Sequence, residues 1–586
     1  MFWRTPETKL LDCCAVSWRT IQQLAARRTH EMPPIPEITS NFASHLCYMS
    51  HVQPHTLAVL CPAGRDTRGH VAYTHYTYSQ LDAESDRVAE ALSALGIGPG
   101  VRTVFMVKPS LDFLTFAFAL FKVGAVLVAI DPGMGPKNIG KCLAEARPTA
   151  FIGIPLAHWL RRLMGWSRET IRINVVVGSR NWTIDRFMPG TSASSRINKR
   201  LPADVDLETP VAIVFTSGST GVPKGVVYTH GGLHEQVKAL RKTYGIERGE
   251  IDLITFPLFF FSSLAMGVTM IIADMDFLQP ARASPQKIAE AINSFGITHM
   301  FGSPALLNVL GRWGARSGVK LPSLKRVISA GAPVGVDVIR RITQMLEPGV
   351  QVFTPYGATE ALPVTSIGSD EILADTFRAT EGGQGVCVGR PCGDIEVHII
   401  RITDEAIEKW SDDLCLSEGE IGEIVVRGKV VTRKYYNRPK SDSLAKIPDS
   451  NGGIFHRMGD LGYLDGKGRL WFCGRKSHRV VTDSGVYFTD PCEAVFNTHD
   501  SVFRSALVPV VVDGKTNPAL CVQLEGNVKR SDRKRIREEL LQIGAKHQHT
   551  RAIKKILFCS DFPVDPRHNA KIVREKLAVL AQRKLT

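Results

Sequence analysis

The stretch that most constrains this chain is Val211 to His230, VAIVFTSGSTGVPKGVVYTH. Val211 to Phe215 is β-branched and aromatic, and so is Val226 to Tyr228, which predicts two buried strands joined by a loop. Gly218, Gly221 and Gly225 let main-chain N–H groups turn toward one point. Thr216, Ser217, Ser219 and Thr220 add hydroxyl donors, and Lys224 adds a charge able to reach a polyphosphate. The hairpin therefore predicts anion binding by backbone dipoles plus a cation. It is not a Walker loop, which needs Gly-Lys-Ser/Thr after four spaced residues, because Lys224 follows Pro223 and precedes Gly225. An ordinary Ser/Gly turn is the bland alternative.

The 586-residue chain is too long for one core, so at least two domains are expected. A net charge of +15 permits attraction to nucleotides, anionic lipid or nucleic acid and selects none of them. The 12 cysteines are scattered, without CxxC pairs or companion histidines at zinc spacing, which predicts a reduced, cytoplasmic protein without structural metal. Met1 to His30 lacks the clean apolar core of a secretory signal. Leu253 to Ile272 is long enough to suggest a membrane span. Pro257 and the Ser262/Ser263 pair argue instead for a buried strand and helix lining an apolar pocket. Residues 9 to 28 carry Leu10, Cys14, Trp18, Ile21 and Ala25 at helical spacing before a stiff MPPIP linker. This is either an amphipathic surface helix, with peripheral membrane contact open to it, or a docked or unstructured extension.

From Ile38 to about Ile154 helix and strand alternate. A helical stripe over Tyr78 to Leu95 is followed by a strand at Thr103 to Lys108, a helix at Leu111 to Val123 and a strand at Ala125 to Ile130. Such alternation predicts an α/β chain with parallel-type sheets covered by helices. Residues 186 to 205 read as a surface loop, and Gly296 to Ser303 and Arg326 to Pro333 as strands with glycine-rich exits, where ligands of α/β folds sit. The run KRSDRKRIREEL interleaves acids with bases at helical spacing, so a solvated face is favoured over a nucleic-acid contact.

Two further stretches carry chemistry. In Phe353 to Val364, FTPYGATEALPV, Tyr356 offers a flat face to a purine and Gly357 allows close backbone approach. Thr359 can bond a phosphoryl oxygen, and Glu360 is a hard oxygen ligand suited to Mg2+. In His456 to Lys476, Asp460 can accept both hydroxyls of a ribose and Arg475 can pair with ribose or phosphate oxygens, unless both are surface charges on a hairpin.

TSGSTGVPKG, the Tyr-Gly-x-Thr-Glu run at Tyr356 to Glu360, Met458-Gly459-Asp460 and Gly474-Arg475 occur in the order found in the adenylate-forming superfamily, which this chain resembles. That superfamily holds acyl-CoA synthetases, luciferases and peptide-synthetase adenylation domains. The resemblance implies ATP and Mg2+ as cofactors, with Thr220 a second candidate beside Glu360 for the metal. It implies that Ala330, Gly331 and Ala332 give backbone to the adenine and acyl site, and that Lys571, in the stretch Asn-Ala-Lys, is the C-terminal catalytic lysine alongside Lys224 and Glu360. It also implies an extension at 1 to 37, a large domain at 38 to 474 and a small mobile α+β domain at 475 to 586. In the family a polar hinge residue follows two after the arginine; here it is Ser477.

Longer stretches, among them VRTVFMVKPSLDF, CLAEARPTAFIGIPLAH, FGSPALL, HRMGDLGYLDGKGRLWFCGRK and DPRHNAKIVREKLAV, are similar to the β-lactone synthetases of bacterial long-chain olefin biosynthesis. The implied reaction converts a 2-alkyl-3-hydroxy fatty acid and ATP to a β-lactone, AMP and pyrophosphate, with a thiolase-like condensing enzyme, a ketone reductase and a lactone decarboxylase as pathway partners. Two departures from the wider family weaken a role for coenzyme A. Phe260 replaces the histidine of Pro-Leu-Phe-His, and the loop Gly485 to Glu493 is one residue longer than usual between its glycine and proline. The substrate's own 3-hydroxyl would be the nucleophile, and the general base is not identifiable. His230 and His234 lack the HExxH pattern of a metal pair. A fatty acyl-CoA or acyl-carrier ligase, and an idle nucleotide- or lipid-binding module, remain the alternatives.

Overall fold

The two apolar runs around the glycine-rich loop pair with each other. Pro210–Thr216 runs antiparallel to Lys224–Thr229, with Ile213 opposite Val227. The computed structural model describes residues 40–585 except 66, 68, 70, 179–200, 217–222, 258, 527 and 565–571, and leaves out the side chains of Thr216 and Phe259. The chain divides into two units, Met1–Glu37 and Ile38–Thr586. The helix expected at 9 to 28 and its linker lie outside the described residues, as does the loop at 186 to 200.

The hairpin closes one edge of a six-stranded sheet ordered Ile173–Val176, Ala150–Gly153, Arg102–Met106, Val126–Ile130, Pro210–Thr216, Lys224–Thr229. All its pairs except the last are parallel. The helices between them follow local rules. Thr77 and Gln80 form a capping box at the start of Tyr78–Ala94, and the Ser110 hydroxyl accepts from Phe113 N at 3.2 Å to start Leu111–Lys122. Lys122 is fully buried where these two helices meet, and its ammonium lies 2.6 Å from Asp82 and 2.5 Å from Asp86. Pairing with two carboxylates is what makes a buried lysine tolerable there.

The second sheet has fourteen strands. An antiparallel edge strand, Val71–Thr77, is followed by a parallel part through Leu57–Arg65, Thr269–Ile272, Ile251–Ile254, His299–Phe301, Arg326–Ile328 and Gln351–Ala358. Beyond Gln351 it turns antiparallel, through Ala361–Gly368, Val386–Pro391, Leu470–Arg475, Ile454–Leu464, Gly422–Arg427 and Glu396–Ile400. The parallel reading thus holds for the first half of this sheet only. Gln351–Ala358 and Ala361–Gly368 are separated by two residues, too few for the crossover that parallel pairing needs. The apolar stretch at 253 to 272 is strand, the short helix Phe259–Ala265 and a parallel neighbouring strand. Among the described residues no helix is long and apolar enough to cross a membrane.

After Arg475 the chain builds a three-stranded sheet, Val502–Val512, Lys515–Leu524 and Lys555–Cys559. Its core takes in Phe496, Leu507, Leu520, Ile536 and Ile556. Helix Arg533–Ala545 buries Ile536, Leu540 and Gly544 and leaves its basic and acidic residues outward, with Arg535 and Glu539 paired at 2.7 Å. The stretch around Gly474 to Ser477 joins this sheet to the rest through the turn Lys476–His478.

Candidate active site

The parallel strands of the large sheet end at Thr255, Gly302 and Ser329, and the chain bends away there, as it does at ligand-binding ends of α/β sheets. Ala330, Gly331 and Ala332 form the bend after Arg326–Ile328, with Gly331 at φ +94°. Just before them the Ser329 hydroxyl is buried without a hydrogen-bond partner.

The returning strand of the glycine-rich hairpin is fastened to the Tyr356–Glu360 segment. The Tyr228 hydroxyl donates to the Thr359 carbonyl at 2.6 Å. The same strand pairs with a segment that sequence reasoning passed over: Val226 bridges Tyr435, and Tyr436 N donates to the Gly225 carbonyl at 2.7 Å. Tyr435 then reaches Glu360, donating its hydroxyl to Oε1 at 2.7 Å. Thr432 holds the Glu360 main chain, its N and Oγ1 both donating to the carbonyl, at 2.8 and 3.1 Å. Lys224 Nζ lies 4.9 Å from the centre of the Tyr435 ring. Burial pulls the Lys224 ammonium below its ordinary range, and Glu360 opposes that shift. Glu360 Oε2 has no partner among the described residues, so a carboxylate oxygen backed by a fixed network remains free to hold a cation. The donor set fits Mg2+, with further ligands coming from phosphate oxygens and water, since Mg2+ sites of this kind use one or two carboxylates.

The second cluster is built on Asp460 and Arg475. Asp460 and Arg475 stand opposite each other on adjacent strands of the hairpin Ile454–Leu464 and Leu470–Arg475, with Asp460 Oδ1 3.0 Å from Arg475 Nη1. That contact falls outside hydrogen-bond geometry, leaving Oδ1 an unfilled acceptor. Oδ2 accepts from the Tyr356 hydroxyl at 2.6 Å. Asp460 is only 3% exposed, which overturns the surface-charge alternative. Burial raises its carboxyl, with Arg475 working against the rise. The Arg475 side chain is 37% exposed, and its only hydrogen bond among the described residues is from Nη1 to the Met458 carbonyl at 3.4 Å. The Tyr356, Asp460 and Arg475 trio therefore presents an aromatic ring, a carboxylate with a spare lone pair and a guanidinium with spare donors.

At Gly357 the backbone of the neighbouring strand comes close. A Cβ there would stand 2.6 Å from the Ala361 carbonyl, so the missing side chain admits the neighbouring hairpin strand. Ser217 to Gly221, the Thr216 side chain and Lys571 lie outside the described residues. Three residues beyond Lys571, Arg574 meets Glu493 through two bonds of 2.7 and 2.9 Å. His230 Nδ1 accepts from Phe42 N at 3.0 Å, and His234 is bonded to His45 at 2.9 Å. Phe260 is fully buried, its ring 5.3 Å from Phe113. Thr432, Tyr435 and Lys446 were missed because nothing in their spacing marks them; they reach the site through long-range pairing.

Fold and site together define an adenylate-forming enzyme. The chain belongs to the AMP-binding enzyme family, whose profile matches residues 51–436. It is 46% identical to the olefin beta-lactone synthetase of Xanthomonas campestris pv. campestris over 550 residues, covering 92% of this chain and 97% of that protein. It is 45% identical to the olefin beta-lactone synthetase of Stenotrophomonas maltophilia over 552 residues, covering 93% and 98%. Among solved structures, the o-succinylbenzoate coenzyme A synthetase of Bacillus subtilis in complex with ATP and magnesium ion shares the fold, with a TM-score of 0.69, 19% identity and coverage of 92% and 99%.

Proposed function

We propose that this protein activates a 2-alkyl-3-hydroxy fatty acid as its acyl-adenylate and closes it to a β-lactone. The observation that carries the reading is the near end-to-end match, at 45–46% identity, to two proteins named olefin beta-lactone synthetase. In the first step a substrate carboxylate oxygen bonds to the α-phosphorus of ATP and pyrophosphate leaves. In the second the substrate's 3-hydroxyl oxygen bonds to the acyl carbon, its proton goes to a base, and AMP leaves with the electron pair of the broken acyl bond.

The chain's own groups supply positioning and charge, which dominate phosphoryl transfer. Asp460 and Arg475 take the ribose, Tyr356 and the bend at Ala330–Ala332 flank the adenine, and Thr359 meets a phosphoryl oxygen. Thr216 to Gly221 and Lys224 grip the polyphosphate. Glu360 holds Mg2+, with Thr220 a second candidate ligand, and the ion would neutralise charge on the phosphates. Lys571 stabilises negative charge at the reacting carboxylate and α-phosphate. The intramolecular nucleophile removes any requirement for coenzyme A. The division into 38–474 and 475–586, with rotation near Ser477, belongs to the same proposal. So do a cytoplasmic location, peripheral membrane contact, and work alongside a thiolase-like condensing enzyme, ketone reductase and lactone decarboxylase.

The test is mass spectrometry of product from the purified protein with ATP, Mg2+ and a synthetic 2-alkyl-3-hydroxy fatty acid, with and without coenzyme A. A product one water lighter than the acid, formed without coenzyme A, supports lactone synthesis. A thioester formed only with coenzyme A makes the protein a ligase. No ATP–pyrophosphate exchange at all makes it a binding module.

A further inference from the structure

Lys446 is 6% exposed, and no carboxylate lies within ion-pair distance of it among the described residues. A buried ammonium without an anion is costly, so its surroundings matter. Its Nζ donates to the Thr432 carbonyl, with Thr432 Oγ1 at 3.4 Å, and lies 5.6 Å from the centre of the Tyr435 ring. Thr432 fixes the Glu360 main chain and Tyr435 fixes the Glu360 carboxylate. Tyr435 is itself 5% exposed and anchored at its backbone by Asp442, whose Oδ1 accepts from Tyr435 N at 2.7 Å. One tyrosine ring thus has two ammonium groups near it, those of Lys224 and Lys446, while its hydroxyl holds the one carboxylate suited to a cation.

Resting on the adenylation reading, we propose that Tyr435 and Lys446 are positioning residues for the metal and polyphosphate end of the site. Tyr435 sets the orientation of the Glu360 carboxylate. Lys446 fixes the Thr432–Tyr435 segment and adds a second positive charge beside the ring that Lys224 approaches. Burial and the Glu360 charge keep the Tyr435 phenol protonated, as a donor must be. His456, buried with its Nδ1 3.1 Å from the Ala445 carbonyl, stays neutral because of burial and the Lys446 charge. It therefore adds no competing cation to the cluster.

The test uses the full-length protein and the variants Tyr435→Phe, Lys446→Met and Lys446→Arg. Binding of Mn2+ is followed by electron paramagnetic resonance in the presence of a non-hydrolysable ATP analogue, and ATP–pyrophosphate exchange is measured against free Mg2+. Removing a group that orients a metal ligand costs roughly 10- to 100-fold in metal affinity. Tyr435→Phe and Lys446→Met are expected to weaken Mn2+ binding by about tenfold or more and to shift exchange to higher Mg2+. Lys446→Arg should recover part of the loss. A merely structural role would change thermal stability while leaving the metal dependence unmoved, and Mn2+ affinities within about twofold of the parent for both variants would overturn the proposal. A parent protein that neither binds Mn2+ with the nucleotide nor exchanges pyrophosphate overturns the adenylation reading, and this inference with it.

Discussion

Gly474 lies so close to Thr489 that a Cβ on the glycine would overlap the threonine Oγ1, and its φ of +120° is a backbone conformation that side chains disfavour. The strand that carries Arg475 therefore meets the helix Thr489–Phe496 backbone to side chain, across the boundary proposed between the large and small domains. Gly474→Ala is expected to cost about 3 kcal/mol, from strain and overpacking together. Denaturant unfolding measures it, and a loss below about 1 kcal/mol would show that the two elements separate easily.

Asp460 holds Tyr356 on one oxygen and faces Arg475 with the other. Asp460→Asn removes the charge that opposes the guanidinium and one acceptor for ribose. Hydrogen bonds to charged groups are worth about 1.5–3 kcal/mol, so the KM for ATP should rise roughly 10- to 100-fold with a smaller change in kcat. Steady-state pyrophosphate exchange separates the two constants, and an unchanged KM would remove Asp460 from the nucleotide site.

Lys571→Ala should lower the adenylation rate by roughly a hundred- to thousandfold while ATP binding is largely kept. Rapid-quench measurement of acyl-adenylate, paired with nucleotide titration, checks both halves. Equal loss of binding and rate would make Lys571 a simple binding residue.

Burial lowers Lys446 to about 8, against about 10.4 for a lysine in an unfolded chain. Below pH 8 both states keep the proton, and the folded state bears the full penalty of a buried charge. Between about pH 8 and 10.4 the unfolded chain binds more protons, so this group makes stability rise with pH. Lys446→Met is expected to stabilise the protein at pH 7 by about 1–3 kcal/mol, once the loss of the Thr432 hydrogen bonds is offset. That gain should shrink toward zero by about pH 10. Equilibrium unfolding at both pH values decides it, and a variant less stable at pH 7 would show that the ammonium is solvated or paired.

How much of this was legible depended on whether a residue's partner was near it in sequence. The phosphate hairpin could be read because its two strands adjoin and share a β-branched pattern. Asp460 and Arg475 could be read because both sit on one hairpin around a turn at Asp465 to Gly468. The Tyr435 segment could not, since Val226 bridges Tyr435 across about two hundred residues of chain and neither end carries a spacing that names the other. The switch from parallel to antiparallel pairing after Gln351 was hidden for a related reason: strand patterns show that a segment is a strand and leave its direction to the loop lengths.

The Phe260 ring belongs to a packed set that includes Phe105, Phe113, Phe118, Phe121 and Phe261, with centroid separations of 5.1 to 6.2 Å. An imidazole exchanged for that phenyl ring would arrive in a hydrocarbon environment with polar nitrogens to satisfy, at a cost of about 1–3 kcal/mol for each unpaired group. The position is therefore guarded by its neighbours. A histidine at this position would need polar partners for its ring nitrogens, and these phenyl rings supply none.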